Sequence, residues 1–112
     1  MAQYEKRFSG SFQRLLVFLD EEIPRGSITV TQEGAADMAC GGVRCAVRVY
    51  ERYSMLGSNR LTLTVTLFGR DGEIDLSAIT SGGSQAMFFK INTWGEEAFL
   101  NKFVSQLERY RP

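Results

Sequence analysis

The chain has no histidine and only two cysteines, Cys40 and Cys45. The first absence removes the commonest general base and metal ligand. The second leaves neither a four-cysteine zinc site nor a disulfide framework. Net charge is missing too: thirteen basic and thirteen acidic side chains cancel, so nothing draws the molecule to nucleic acid or an anionic membrane over long range. The longest apolar run, Leu15 to Leu19, is far shorter than the roughly 20 residues of a spanning helix. The polar start Met1-Ala2-Gln3-Tyr4-Glu5-Lys6-Arg7 lacks the apolar stretch of a signal peptide. The expectation is a soluble, cytoplasmic protein with no metal, no cofactor, no nucleic acid and no membrane.

What remains is an ordinary globular composition, 44% apolar and 23% charged over 112 residues. That length predicts a single domain, residues 1–112, burying about two thirds of its extended-chain surface.

Tyr4, Lys6 and Phe8 alternate with Glu5 and Arg7, which predicts a short first strand ending at Ser9-Gly10-Ser11. Phe12, Leu15, Leu16, Leu19 and Ile23 then fall on one helical face, with Ser9 or Ser11 as N-cap and Pro24 as the stop. Asp20, Glu21 and Glu22 face the negative end of that helix's dipole, a solvated acidic end that Arg25 can offset. Ser27 to Thr31 alternate as a strand with Ile28 and Val30 inward, and the small, Gly-rich residues 33–42 read as a loop or wide turn.

The period-two pattern from Val43 to Ile91 is the most informative feature of the chain. Val43, Cys45, Val47 and Val49 form one face of a strand, read as the inner one, and Arg44, Ala46, Arg48, Tyr50 and Arg52 form the other. After a turn near Gly57-Ser58-Asn59, Leu61, Leu63, Val65 and Leu67 repeat the alternation. Asp71-Gly72 is a favoured hairpin turn, and it sets Leu67 on Leu76, Val65 on Ala78 and Leu63 on Thr80, with Phe68, Thr66 and Thr64 opposite Asp75, Ser77 and Ile79 outside. A second turn at Gly82-Gly83 adds a further strand, with Met87 and Phe89 inside and Ala86, Phe88 and Lys90 outside, Lys90 facing Asp75. One residue misfits: Glu51 falls in the valine row, which places a carboxylate inside unless a bulge near the strand end re-aims it. Thr93-Trp94-Gly95-Glu96 has the form of a capping box, and Phe99, Leu100, Phe103, Val104 and Leu107 behind it form a helical stripe that must cover the sheet.

No arrangement of residues amounts to a catalytic or cofactor signature, so the chain reads as a non-enzyme. Cys45 among valines reads as an inert core thiol, and Cys40, before Gly41-Gly42, as a free one. The segment Thr80-Ser81-Gly82-Gly83-Ser84-Gln85 joins strand to strand, unlike a phosphate loop, and its serines have no base. Glu73 and Asp75 share an outer face about 7 Å apart, but Lys90 and Arg70 supply them with salt partners. The outer sheet face instead collects Arg48, Tyr50, Arg52, Phe68, Ile79 and Phe88, a mixture of arginine and aromatic side chains typical of interface centres, unless residues 33–42 or the N-terminal segment fold over it.

The predicted fold class is α+β: an antiparallel meander of about five to six strands, with an early helix and a long C-terminal helix on one face, in the order β-α-β5-α. That order resembles a shortened helix-grip fold, the outline of START and Bet v 1-like domains. The resemblance spans most of the chain, rests on element order and involves no residue motif. It implies a last helix laid across a curved sheet with an apolar ligand between them, here near Phe89, Phe99 and Phe103. Two functions follow as expectations: self-association or binding of a protein partner through the outer sheet face, or carriage of a small apolar ligand.

Overall fold

The computed structural model describes residues 1–26, 29–54, 59–82 and 89–112. Its elements are β1 (Ala2–Ser9), α1 (Phe12–Arg25), β2 (Val30–Cys40), β3 (Val43–Ser54), β4 (Asn59–Arg70), β5 (Glu73–Gly82) and α2 (Phe89–Leu107). The strands form one antiparallel sheet in the order β1-β5-β4-β3-β2. The α+β class with an early helix and a long C-terminal one is as expected.

Two tight turns fix the register. Gly41 and Gly42 have φ of 55° and 84°, and Asp71 and Gly72 have 55° and 79°. Positive φ at both central residues marks the turn whose twist matches the flanking strands, and glycine adopts it without a steric penalty. Across Asp71-Gly72 the expected pairs Leu67–Leu76, Val65–Ala78 and Leu63–Thr80 form. Across Gly41-Gly42, Cys40 stands opposite Val43.

The structure departs from expectation in two places. Residues 33–40 are not a loop but most of β2, with an irregularity in register between Gln32 and Gly34. Small residues have weak strand propensity, yet once the turn is confined to Gly41-Gly42 their backbone groups find ladder partners on β3, which outweighs propensity. The second departure follows Gly82. The expected turn at Gly83 and the pairings of Ala86, Met87 and Phe88 lie outside the described residues, but Phe89, Lys90 and Ile91 begin α2 rather than continuing a strand. The free edge of β5 is taken by β1, with Ala2 to Ser9 running against Thr80 to Glu73. Asp75 therefore faces Arg7, not Lys90. Thr93 lies inside α2 and Glu96 in its middle, so neither caps the helix.

Both helices lie on the same side of the sheet, α1 against β2, β3 and β4 and α2 mainly against β5, β1 and β4. Ser11 caps α1, its hydroxyl accepting from the Arg14 N–H at 3.1 Å, and the helix ends at Arg25, one residue past Pro24. Leu15, Leu16, Leu19 and Ile23 from α1 and Phe99, Leu100, Phe103 and Leu107 from α2 bury themselves on Leu61, Leu63, Val65, Leu67, Ile74, Leu76 and Ala78. Phe12 seats the start of α1: its ring lies on the backbone of Gly69, where any side chain would overlap it, and the Arg44 guanidinium sits 4.4 Å from the ring centroid.

Candidate functional site

β3 alternates as expected but in the opposite phase. Ala46 pairs with Leu67, Arg48 with Val65, Tyr50 with Leu63 and Arg52 with Leu61, so these four face the helices. Val43, Cys45, Val47, Val49 and Glu51 face away from them. Arg48, Tyr50 and Arg52 thus do not belong to the outer surface, and Cys45 is not a core thiol. The cause lies in α1, which brings polar partners to the inner face. The Tyr50 hydroxyl, fully buried, donates to the Leu19 carbonyl at 2.7 Å. Burial pushes its phenol pKa well above the ordinary value. Arg48, with 5% of its side chain exposed, finds an acceptor for every guanidinium N–H. Nε and Nη2 donate to Asp20 at 2.7 and 3.3 Å, Nη2 also to Asp37 at 3.4 Å, and Nη1 to the carbonyls of Val47 and Ala36 at 3.1 and 3.4 Å. The hydrogen bond to Asp20 is the main reason its pKa is raised. Gln32 donates to the same Asp20 carboxylate at 2.9 Å. Arg52 is half-buried over the Phe99 ring.

With the phase corrected, Glu51 ceases to be a misfit. It lies on the outer face, paired with Arg60 at 2.8 Å, and the sheet irregularity falls in the partner strand β2, between Gln32 and Gly34 opposite Tyr50 and Val49, rather than in Glu51's own strand. Glu51 was also the signal in the sequence that could have set the phase, because a carboxylate marks the solvent side of the row it shares with the valines.

The outer face that results is more apolar than expected. Val43, Cys45, Val47 and Val49 form a row along β3, flanked on β2 by Ala36, Met38 and Cys40 and on β4, the central strand, by Thr64, Thr66 and Phe68. Met38 is 58% exposed and Phe68 48%. Ile79 lies on this face too, half-buried, while Phe88 falls outside the described residues. Residues 33–40 run in the sheet as β2, so they do not cover it, and among the described residues both helices are on the other side.

Towards β1 the face turns polar. Arg7 grips Asp75 with two hydrogen bonds of 2.7 and 3.3 Å, which holds that carboxyl below its usual range. The Ser9 hydroxyl donates to Glu73 at 3.2 Å, and Thr62 and Ser81 share a hydrogen bond of 2.7 Å. Glu73 and Asp75 are therefore each engaged across the β1–β5 ladder, by residues other than the expected Lys90 and Arg70. Cys40 is exposed and Cys45 half-buried, both free thiols.

Of the residues expected to hold an apolar ligand, Phe99 and Phe103 are buried in the core, and Phe89 is the first residue of α2. At the acidic end of α1, Asp20 is held by Arg48, and Glu22 pairs with Arg25 at 3.1 Å. Glu96 is buried, with the terminal ammonium of Met1 as its ionic partner and its backbone carbonyl accepting from the Thr80 hydroxyl at 3.3 Å. Among the described residues, no helix is long and apolar enough to cross a membrane.

These features define a two-layer α+β protein: one antiparallel sheet, two helices on one face, and an apolar row on the face they leave open. The chain belongs to a family of unknown function, DUF6054, whose model matches residues 1–111. No curated protein and no solved structure matches it.

Proposed function

We propose that this protein is a non-enzymatic module that associates with a second copy of itself through the outer face of its sheet. The row Val43, Cys45, Val47 and Val49, half-buried by its neighbours in the sheet and continuous with the exposed Met38 and Phe68, is the observation that carries the reading. Contiguous exposed apolar surface on a soluble domain commonly marks an interaction site.

A second copy suits this face for three reasons. With strands of 8 to 12 residues, five of them about 4.8 Å apart make a face on the order of 700 Å², close to the ~800 Å² that each partner contributes to a stable interface. The chain has no net charge, so two copies do not repel at long range. Rows of valine and threonine side chains are flat enough to interdigitate as in a β-sandwich, with the sheets about 10 Å apart. Pairing through the edges is disfavoured: β2 carries Glu33, Asp37 and an irregular register, and β1 carries Glu5, Lys6 and Arg7, devices that blunt strand addition.

Sedimentation equilibrium on the wild type and on Val47→Asp tests the proposal, with circular dichroism to confirm that both are folded. The expected result is a dimer for the wild type and a monomer for the variant at the same concentration. A wild type that stays monomeric up to millimolar concentration, or a variant as dimeric as the wild type, overturns it.

A further inference from the structure

The other side of the molecule carries a groove that the sheet-face reading does not use. After α2 the chain doubles back along α1. Gln106 Nε2 donates to the Ile23 carbonyl at 3.3 Å, the rings of Phe18 and Tyr110 meet edge to face at 5.3 Å, and Pro112 lies against Gly10. The tail thus retraces α1 from its C-terminal end to its start. Gly26 permits the first of these contacts, since any side chain there would occupy the space of the Gln106 amide. Between helix and tail lies a groove of about 460 Å³, lined by Arg14, Phe18, Arg25, Arg109, Tyr110 and Arg111 among others.

Four of the chain's thirteen basic side chains meet in this groove, against a single carboxylate, Glu22. In a chain with no net charge, that is a strong local excess of positive charge. Two of the four are already engaged. Arg25 pairs with Glu22, and Arg111 donates to the carbonyls of Glu108 and Tyr110 at 2.8 and 3.1 Å. Arg14 and Arg109 have no acidic partner among the described residues. Arg14 also stands in the first turn of α1, the positive end of the helix dipole, where a cation is disfavoured. Neither capping nor ion pairing accounts for it.

We infer that this groove binds a small aromatic organic phosphate of nucleotide size. Its volume lies within the ~300–1,000 Å³ range of small-molecule sites. Guanidinium forks match phosphate oxygens, and a terminal phosphate carries about two negative charges, which the uncommitted arginines balance. Arg14 and Arg25 are eleven residues apart on one helix, about 16 Å, so the groove is long enough for a ligand of nucleotide size. The half-buried rings of Phe18 and Tyr110, beside Val17 at 40% exposure, supply the apolar wall on which that ring rests. A long polyanion is disfavoured by the neutral charge of the rest of the surface. The groove and the outer sheet face share no residue, so either reading can fail alone.

Isothermal titration calorimetry with adenosine diphosphate, and with pyrophosphate as the arm lacking a ring, tests the inference. Saturable binding of adenosine diphosphate is expected, tighter than that of pyrophosphate. Arg14→Gln and Arg109→Gln should each weaken it about tenfold, the loss of one charge-assisted contact, while Arg70→Gln, outside the groove, leaves it unchanged. Both arginines are exposed, so the variants keep the fold, which circular dichroism verifies. Absence of saturable binding, binding indifferent to both groove substitutions, or pyrophosphate binding as tightly as the nucleotide overturns it.

Discussion

Arg48 and Tyr50 show how a polar-tipped side chain enters a core when a neighbouring element meets its hydrogen-bonding demand. The Arg48 stem crosses the apolar layer, and α1 and β2 satisfy its charged end through Asp20 and Asp37. Asp20 is 37% exposed, so solvent screens this pair and its contribution is smaller than that of a fully buried one. Tyr50 is wholly dry, which makes it a probe of pH. Its folded-state pKa lies above the ordinary value near 10, so the native state keeps the proton that the unfolded state releases first. The stability this contributes is complete below about pH 10 and is lost as pH climbs through the folded-state pKa. Urea unfolding at about pH 9 and pH 11 should show the wild type losing more stability over that interval than Tyr50→Phe. At neutral pH the same variant should cost about 1 kcal/mol, the net worth of the lost hydrogen bond to the Leu19 carbonyl. Parallel pH slopes for the two proteins would show that Tyr50 is not the titrating group.

Individual elements were legible where local chemistry decides them. The Asp71-Gly72 turn admits one register, so the β4–β5 pairs could be read from the chain, and α1 followed from its apolar spacing and Ser11. β1 was legible as a strand, but its place beside β5 was not, since nothing local says which strand of similar alternation closes an edge. The phase of β3 was hidden for another reason. Hydropathy assigns the inside to the valines, yet a strand with Val on one face and Arg, Ala and Tyr on the other can bury either, and the partners that bury Arg48 and Tyr50 sit on α1, some 30 residues away. The candidate site inherits that inversion: Phe68 and Ile79 lie on the outer face, Arg48, Tyr50 and Arg52 lie on the inner one, and the valine row of β3 belongs to the outer face rather than to the core. Adjacent charge insertions test the corrected phase. Ala46→Asp puts a carboxylate on the inner face at a site only 1% exposed and should destabilise by about 3–5 kcal/mol or prevent folding. Val47→Asp, one residue on, points outward and should change the unfolding free energy of the monomer by less than about 1 kcal/mol. Equal destabilisation by the two in urea titrations would contradict the assignment.

The whole molecule is a slab with principal extents of 47, 24 and 21 Å, one sheet and one helix layer deep. Among the described residues no layer covers the outer face of its sheet. Stacking two such slabs face to face would give each sheet the second layer it lacks and convert two open sheets into a sandwich. The two free thiols report on this directly. Cys40 lies at the β2 end of the outer face and is exposed, whereas Cys45 stands in the valine row itself. In a Cys40→Ser background Cys45 is the one remaining thiol, and alkylation by a small maleimide reads its accessibility. If copies associate through this face, its labelling rate falls as protein concentration rises, because association removes Cys45 from solvent. The rate in Cys40→Ser/Val47→Asp should stay independent of concentration, since the added carboxylate keeps the copies apart. A concentration-independent rate in the parent, alongside a dimer by light scattering, would place the interface elsewhere on the molecule and leave the valine row in water.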